Sequence, residues 1–269
     1  MIELTQPYEV ELPAGLLDGN GVSHKSVRIM PMTGAVRKTI ARPDIRREAV
    51  NIANAILCSC VKSIGDINQI TIPIVNSLIL GDREYLLMKI RQYSSGPHVN
   101  FTLTCSSCEE PFDGTINLEE VPIVALPSDV EIVTTEGESQ KRAFWVFRIQ
   151  SEKYNVDATF RFPTGNDQAA VSKILKANAV AGVYQMLWRC LVSFNGTPKD
   201  LIPPTIFDDM ALPIIDFIQN EFRLRQPGPD FSEPAYCPNC GAENAISFQT
   251  SDFFFDLTSM RRRQQERLI

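Results

Sequence analysis

Cys105-Ser-Ser-Cys108 and Cys237-Pro-Asn-Cys240 are two copies of one short motif, a pair of cysteines separated by two residues. Four thiolates are the ligand set of a tetrahedral structural zinc site, which leaves no open position for catalysis. Cys108 and Cys237 lie 129 positions apart, far more than the interval between ligand pairs in a compact zinc finger. One ion that used all four cysteines would therefore join the middle of the chain to its C-terminal part. The predicted ligands are Cys105, Cys108, Cys237 and Cys240.

Two other uses of these cysteine pairs remain open, namely a disulfide within each pair and a redox dithiol. Redox CxxC motifs usually open a helix after a buried strand. Here Glu109-Glu110-Pro111 and Gly241-Ala242-Glu243 lead into strand-like sequence instead, so we favour a metal. Zn²⁺ suits four thiolates best, with iron as the second choice. Cys58, Cys60 and Cys190 lie in apolar stretches typical of core thiols in a protein of the reducing cytosol.

Length and composition predict a globular protein with a substantial core. The chain has 269 residues, of which 44% are hydrophobic and 22% charged, enough for one large or two ordinary domains. A formal net charge of −6 argues against general binding to a phosphate backbone. Residues 1–15 lack the basic start and apolar core of a signal peptide. The apolar stretch 72–80 is well short of the ~20 residues that a membrane span needs.

Hydrophobic periodicity predicts two similar series of elements along the chain. The first series comprises strands at 7–12 and 27–30, a turn at 13–15, a helix at 46–64, a helix at 83–93 with Asp82 as its N-cap, and strands at 99–104 and 114–118. The second comprises strands at 144–149 and 156–162, a helix at 167–194, a helix to about 222 capped by Asp208 or Asp209, an extended segment at 227–234 and a strand at 245–248. Over residues 119–142 the sequence predicts a connector with an exposed hairpin tip.

Four landmarks recur at an offset of about 130 positions, which indicates an internal duplication. The matched pairs are Gly34 with Gly165, Cys60 with Cys190, Asp82 with Asp208, and Cys105 with Cys237. The sequence therefore predicts an α+β fold of two pseudo-repeated strand–helix–helix–knuckle halves, residues 1–142 and 143–269, joined through a shared zinc-ribbon-like four-cysteine site. Accidental recurrence of short Thr-Gly and CxxC matches is the alternative.

Few other residues suggest chemistry. His24 and His98 could act as ligands or proton carriers, but their polar surroundings favour ordinary surface positions. Asp208-Asp209 fits a capped helix start better than a divalent-cation site. The sequence contains no nucleophile elbow, no HExxH motif, and no glycine-rich phosphate or dinucleotide loop, so we do not expect an enzyme.

The C-terminal segment carries Phe253-Phe254-Phe255 and then Arg261-Arg262-Arg263. Three consecutive phenylalanines near a chain end are hard to bury within one small domain, so they suggest a docking arm for an acidic partner surface or a nucleic acid. A solvated terminal helix with basic residues in its C-terminal half is the alternative.

Several stretches resemble a family of baseplate-hub proteins of contractile-tailed phages, the family named for the T-even base plate protein. The stretches that carry this resemblance are Met32-Thr-Gly34, Leu80-Gly-Asp-Arg-Glu-Tyr-Leu-Leu-Met-Lys-Ile-Arg91, Cys105-Ser-Ser-Cys108, Arg161-Phe-Pro-Thr-Gly165, Trp188-Arg-Cys190, and Cys237-Pro-Asn-Cys240 with Phe253-Phe-Phe255. The resemblance implies a non-catalytic structural or assembly role in a hetero-oligomeric virion tail baseplate. It also implies that the partners are other tail proteins and that assembly takes place in the host cytoplasm.

Two further functions compete with this one. A zinc-ribbon module that binds nucleic acid would need a basic surface near the knuckles, whereas the residues around the first knuckle are acidic. Those acidic residues are Glu109, Glu110, Asp113, Glu119 and Glu120. A thiol–disulfide enzyme that uses one CxxC pair is the remaining candidate.

Overall fold

The N-terminal part of the chain forms a three-stranded antiparallel sheet with helices packed on it. The computed structural model describes residues 6–136 and 141–245. The elements of this first half are β1 (Tyr8–Leu17), β2 (Ser23–Ile29), α1 (Gly34–Ile40), α2 (Pro43–Arg46), α3 (Ala49–Cys60), β3 (Val61–Ile64), α4 (Ile72–Ser77), α5 (Leu80–Ser95), β4 (His98–Thr104) and β5 (Pro111–Asn117). The sheet has the order β1-β2-β3, and β4 pairs with β5 in a separate antiparallel ribbon.

The following part of the chain forms a five-stranded antiparallel sheet. Two strands connect the halves, β6 (Ile123–Val124) and β7 (Glu131–Glu136). The elements of the second half are β8 (Lys141–Ser151), β9 (Val156–Arg161), α6 (Gly165–Ala177), α7 (Ala179–Cys190), β10 (Leu191–Phe194), β11 (Thr197–Pro198), a 3-10 turn (Lys199–Leu201), α8 (Leu212–Leu224), β12 (Gly228–Pro229), β13 (Ala235–Tyr236) and β14 (Glu243–Asn244). The sheet order is β11-β10-β9-β8-β7, while β12 pairs with β6 and β13 with β14.

Mixed helices and antiparallel sheets confirm the α+β class. The predicted hairpin is confirmed by the pairing of β7 with β8, although residues 137–140 between them lie outside the described residues. Most of the strand predicted at 245–248 also lies outside them. None of the helices in the described ranges is both long and apolar enough to cross a membrane.

Both long predicted helices end earlier than the sequence indicates. The chain becomes extended at Val61 (φ −75°, ψ 129°) and at Leu191 (φ −62°, ψ 136°), and the following residues form β3 and β10. The prediction of helix over 61–64 and 191–194 is therefore wrong. Apolar residues continue at helical spacing through both stretches, so periodicity cannot distinguish a helix end from a short buried strand. The second helix is also interrupted at Asn178, whose Oδ1 accepts the Ala181 N–H at 3.0 Å and begins α7.

The predicted N-caps are also wrong. Helix α5 begins at Leu80, so Asp82 lies inside its first turn, and α8 begins at Leu212, beyond Asp208 and Asp209. Pro213 lies in the first turn of α8, where a helix tolerates proline.

Asp82 instead holds a bulge in β1. Residues 13–15, predicted as a turn, remain within the strand, but the pairing register shifts there and Gly15 adopts a positive φ of 94°. The two carboxylate oxygens accept the N–H groups of Ala14 at 3.0 Å and Gly15 at 2.9 Å. Burial raises the pKa of Asp82 to about 6, although these two N–H groups act in the opposite direction.

Two hydrophobic clusters form the core, and they cross the boundary between the halves. The first lies between the β1-β2-β3 sheet and helices α1, α3, α4 and α5, and the second lies between the larger sheet and helices α7 and α8. Ala14 and Ile79 of the first half belong to the second cluster, while Phe231 of the second half packs against the first. Each half therefore contributes side chains to the hydrophobic cluster of the other.

The start of α5 is a direct backbone junction between the halves. The Leu80 N–H donates to the carbonyl of Pro163 at 2.8 Å, and the Gly165 N–H donates to the carbonyl of Leu78 at 3.2 Å. Gly81 faces the segment before β12 so closely that a Cβ added to it would lie 1.6 Å from the carbonyl oxygen of Pro227. Only glycine permits this contact between a helix and a neighbouring backbone.

We predict that Gly81→Ala destabilises the protein by about 2 kcal/mol or more, because the added methyl group must push β12 away from α5. Gly34→Ala is the matched control, since a Cβ there meets no atom within 4 Å and alanine favours helix. Urea unfolding of both variants measures the difference. Equal unfolding midpoints for the two variants would contradict the role assigned to Gly81.

Candidate metal centre

The four cysteines of the two CxxC motifs converge on one point. Their Sγ atoms all lie within 4.8 Å of one another. The Cys105 and Cys240 sulfurs are 3.6 Å apart, and those of Cys108 and Cys237 are 3.7 Å apart. Sulfurs bound tetrahedrally at the usual zinc–sulfur distance are about 3.8 Å apart. The arrangement therefore fits a tetrahedral metal ion that joins the β4-β5 ribbon to the β13-β14 ribbon.

Both cysteine turns have the same backbone. In the first, the Cys105 N–H donates to the carbonyl of Glu110 at 3.0 Å, and the Glu109 N–H donates to the carbonyl of Cys105 at 3.0 Å. In the second, the corresponding distances are 2.9 Å from Cys237 to Ala242 and 2.8 Å from Gly241 to Cys237. The residue after each motif is left-handed, with φ of 61° at Glu109 and 73° at Gly241. These turns direct both thiols of a motif to the same side.

The Cys105 and Cys240 thiols differ in how readily they lose a proton. N–H groups of Cys108 and Ser107 point at the Cys105 sulfur and lower the pKa of that thiol to about 6. The Ala242 N–H acts in the same direction on Cys240, but partial desolvation and hydrogen bonds with the other three sulfurs outweigh it and raise the pKa of Cys240 to about 11. Thiols bind a metal as thiolates, so metal binding would release protons from the cluster.

Asn244 is a residue of the site that the sequence analysis missed. Its side chain is only 5% exposed, and its Oδ1 accepts the Ser106 N–H of the opposite turn at 2.8 Å. Its Nδ2 donates to the carbonyl of Ala242 at 2.9 Å and lies 3.7 Å from the Cys105 sulfur. Asn244 thus connects the two ribbons directly. An isolated asparagine in a short strand has no periodic signal that could identify it.

A small apolar cluster surrounds the inner cysteines. Cys105 and Cys237 are buried and pack with Phe112, while Cys240 is exposed. The site therefore lies at the surface, but its inner half is shielded from water. An ion bound by all four thiols would have no position left for substrate, which is typical of a structural metal.

The other sequence candidates do not join this site. His98 is exposed at the start of β4 and pairs with Asn117 at the opposite end of the ribbon from Cys105. His24 lies in β2 with its Nε2 3.7 Å from a carboxylate oxygen of Asp18. Among the described residues, the four cysteines are the one group of three or more histidine, cysteine or acidic side chains placed to hold a metal.

Cys58, Cys60 and Cys190 belong to the core, as the sequence predicts. Cys60 and Cys190 are buried at the C-terminal ends of α3 and α7, and Cys58 is half-buried. Burial raises the pKa of Cys60 to about 11 and that of Cys190 to about 12. All seven cysteines lie in the described ranges, and none of them is in a disulfide.

The surface beside the first turn is acidic. Five carboxylates flank this turn and the β5 strand, and all of them are exposed to solvent. They are Glu109, Glu110, Asp113, Glu119 and Glu120. A nucleic-acid interface needs the opposite charge, so the geometry does not favour the zinc-ribbon nucleic-acid alternative. The docking segment suggested by Phe253–Phe255 and Arg261–Arg263 lies outside the described residues.

One comparison with known proteins gives a match. The family model described as "T4 bacteriophage base plate protein" matches residues 20–256, which is most of the chain and includes both cysteine turns. No curated protein and no solved structure matches.

We predict that Asn244→Ala lowers the affinity of the site for cobalt(II), used as a spectroscopic probe, roughly 10–100-fold, because it removes a buried hydrogen bond between the ribbons. Asn239→Ala is the matched control. Its Nδ2 also lies 3.7 Å from a ligand sulfur, that of Cys108, but it is exposed to water. Equal losses of cobalt(II) affinity in the two variants would contradict the role assigned to the buried hydrogen bond of Asn244.

Proposed function

The chain belongs to the T4 bacteriophage base plate protein family, and on this basis we propose that it is a non-catalytic structural component of the hub region of a phage tail baseplate, or a factor in its assembly. The family match over residues 20–256 is the observation that carries the proposal. It supports a structural role in the virion tail with other phage tail proteins as partners. We further propose that assembly takes place in the host cytoplasm.

A structural zinc ion held by the four cysteines gives this role a physical basis. Zinc fits the four-thiol donor set and the sulfur separations of 3.6 and 3.7 Å, with iron as the second choice. When bound, the ion cross-links the two ribbons and neutralises their thiolates. Asn244 and the turn N–H groups orient the sulfurs before and after it binds. A rigid connection between distant parts of the chain suits a subunit that must present fixed surfaces to several neighbours.

We also propose that residues 1–142 and 143–269 are pseudo-repeats. In both, a hairpin leads through helices to a third strand that pairs with the second strand of the hairpin. The third strand in each begins directly after the core cysteine that ends a helix, Cys60 or Cys190. Each then continues through a long helix, α5 or α8, to a cysteine turn with the same hydrogen bonds. Such a duplication accounts for the long interval between the two cysteine motifs.

The C-terminal segment is our candidate for contacts with other baseplate proteins. It combines Phe253–Phe255 with the basic Arg261–Arg263, a pairing suited to an acidic partner surface with an apolar recess. We place the chain in a hetero-oligomeric assembly and expect neither a membrane nor a nucleic acid as partner.

The proposed role predicts that the chain copurifies with tail proteins of the phage that encodes it. Mass spectrometry of purified particles and of tail-assembly intermediates distinguishes the two forms of the role. A hub subunit is present in both samples, whereas an assembly factor is present only in the intermediates. Absence from both samples, together with no capture of tail proteins by the tagged chain, would refute the proposal.

Cys237→Ser should abolish stoichiometric zinc and loosen the second half against the first. We expect one zinc per chain in the parent protein by elemental analysis, and none in the variant. Limited proteolysis should then cut faster within the connector at 119–142. Cys58→Ser is the control, because Cys58 is half-buried and lies outside the site. Unchanged proteolysis in a zinc-free Cys237→Ser protein would show that the metal does not hold the halves together.

A further inference from the structure

A basic cleft lies where the two halves of the chain meet. Its volume is about 570 Å³, and its walls come from the β1-β2 hairpin, α4, strands β8 and β9, and helices α6 and α7. Ligand pockets typically have volumes of about 300–1,000 Å³ and form preferentially at such interfaces. Four positive and two negative side chains on the described walls give the cleft a net charge of +2, although the whole chain carries −6. These side chains are Lys141, Arg142, Arg161, Arg189, Asp18 and Asp167.

Both carboxylates of the cleft are already engaged by bonds within the chain. Asp167 is only 1% exposed. The Arg161 guanidinium donates to its two oxygens at 2.7 and 2.8 Å, Arg189 Nε donates at 3.0 Å, and the N–H and hydroxyl groups of Thr164 donate at 3.0 and 2.9 Å. A carboxylate has about four acceptor positions, so Asp167 has none left for another donor. Asp18 accepts two backbone N–H groups of its own turn at 2.8 and 2.9 Å.

Positive charge remains in the cleft after this pairing. The Nη1 and Nη2 atoms of Arg189 have no partner within the described ranges, and its side chain is 32% exposed. Lys141 and Arg142 are exposed to solvent and form no ion pair with any described residue. Burial lowers the pKa of the nearby Lys199, and repulsion by Arg161 and Arg189 acts in the same direction. The cations of the cleft therefore outnumber the acids that are available to pair with them.

The cations are spread along the sheet with an aromatic ring between them. Side chains at alternate positions of a strand share a face, which places Arg142, Phe144 and Val146 together on β8. Arg161 pairs directly with Val146 and so lies on the same face, with its guanidinium carbon 5.6 Å from the centre of the Phe144 ring. At about 3.3 Å per residue, the backbone positions of Arg142 and Arg161 are about 13 Å apart. Such a row matches an extended segment with several carboxylates better than it matches a single small oxyanion.

We propose that the basic cleft binds a short, extended, acidic peptide segment of a partner protein. Carboxylates of the segment pair with Lys141, Arg142 and the outer guanidinium nitrogens of Arg189. Its apolar side chains pack on Phe144 of β8 and on Ile74 of α4, so the segment contacts both halves of the chain. The size of the cleft and the acidity of the whole chain disfavour a long nucleic acid. The inference rests on the charges and position of the cleft and not on the baseplate role.

Binding of a fluorescein-labelled peptide to the purified full-length protein tests the occupant. The probe is a short peptide that alternates glutamate with valine, because an extended chain then presents all its carboxylates on one side. The control peptide carries glutamine in place of each glutamate. We expect only the glutamate peptide to bind, with an affinity that falls as the salt concentration rises. Equal binding of the two peptides would overturn the proposal.

Substitutions on β8 test whether the cleft is the binding site. Arg142→Gln should weaken binding of the glutamate peptide about two- to fivefold, the effect expected from the loss of one exposed ion pair. Arg148→Gln is the matched control, since Arg148 is also exposed on β8 but pairs with Asp157 outside the cleft. It should leave the affinity unchanged. Equal effects of the two substitutions would refute the assignment to the cleft.

A carbodiimide, which joins a carboxylate to a neighbouring amine, then locates the bound peptide. We expect mass spectrometry to find the peptide on Lys141, with little on Lys38, which is exposed on α1 outside the cleft. Cross-links mainly at other lysines would overturn the proposal. Equal or tighter binding of inorganic phosphate or of a short oligothymidylate would also overturn it, by assigning the cleft to phosphate or to nucleic acid. Self-association that Arg142→Gln abolishes would instead assign the cleft to a second copy. None of these measurements depends on zinc content or on copurification with particles, so failure here leaves the baseplate role to its own test.

Discussion

The hydrogen bonds from Ala14 and Gly15 to the buried carboxylate of Asp82 fix the position of α5, and the rest of the structure depends on that helix. The two N–H groups are left free by the bulge in β1, where the strand pairing is interrupted. Without an acceptor they would be buried and unsatisfied, a state that costs about 1–3 kcal/mol for each group. With the same two oxygens, Asp82 therefore stabilises both the sheet of the first half and the start of α5. The start of α5 in turn contacts the second half.

The residues beside Asp82 extend this junction in both directions. Arg83 is 2% exposed and donates to Asn54 Oδ1 at 2.8 Å, so it connects α5 to α3. A Cβ on Gly165 would lie 2.7 Å from the guanidinium of Arg83, so the start of α6 packs directly against this arginine. Burial lowers the pKa of Arg83 to about 10, which leaves it charged at neutral pH. The Gly-Asp-Arg motif at 81–83 and the Pro-Thr-Gly motif at 163–165 are distant in sequence but pack against each other.

The sequence predicts which cysteines lie together better than it predicts where the helices begin and end. Four cysteines in two equally spaced pairs predict a metal site because few other residues provide that donor set, and the structure brings their sulfurs together. The helix ends at Cys60 and Cys190 were missed because buried strands and buried helix ends have the same apolar composition. An acid near a helix start has the pattern of a cap, so the bond from Asp82 to a distant strand could not be distinguished from capping. Asn244 acts through contacts across the chain, which no local pattern encodes.

A single contact between two halves would leave them free to rotate about it, and two of the connections between the halves of this chain differ in kind. One is the buried junction at α5, made of backbone hydrogen bonds and close glycine contacts. The other is the four-cysteine cluster, which lies at the surface between two short ribbons. The buried junction stabilises the core independently of any ion, whereas the ribbons have little apolar area of their own beyond Phe112 and its neighbours. An ion bound by the four thiols would therefore contribute most where packing contributes least, because the cysteines lie on the ribbons and not in the two main clusters.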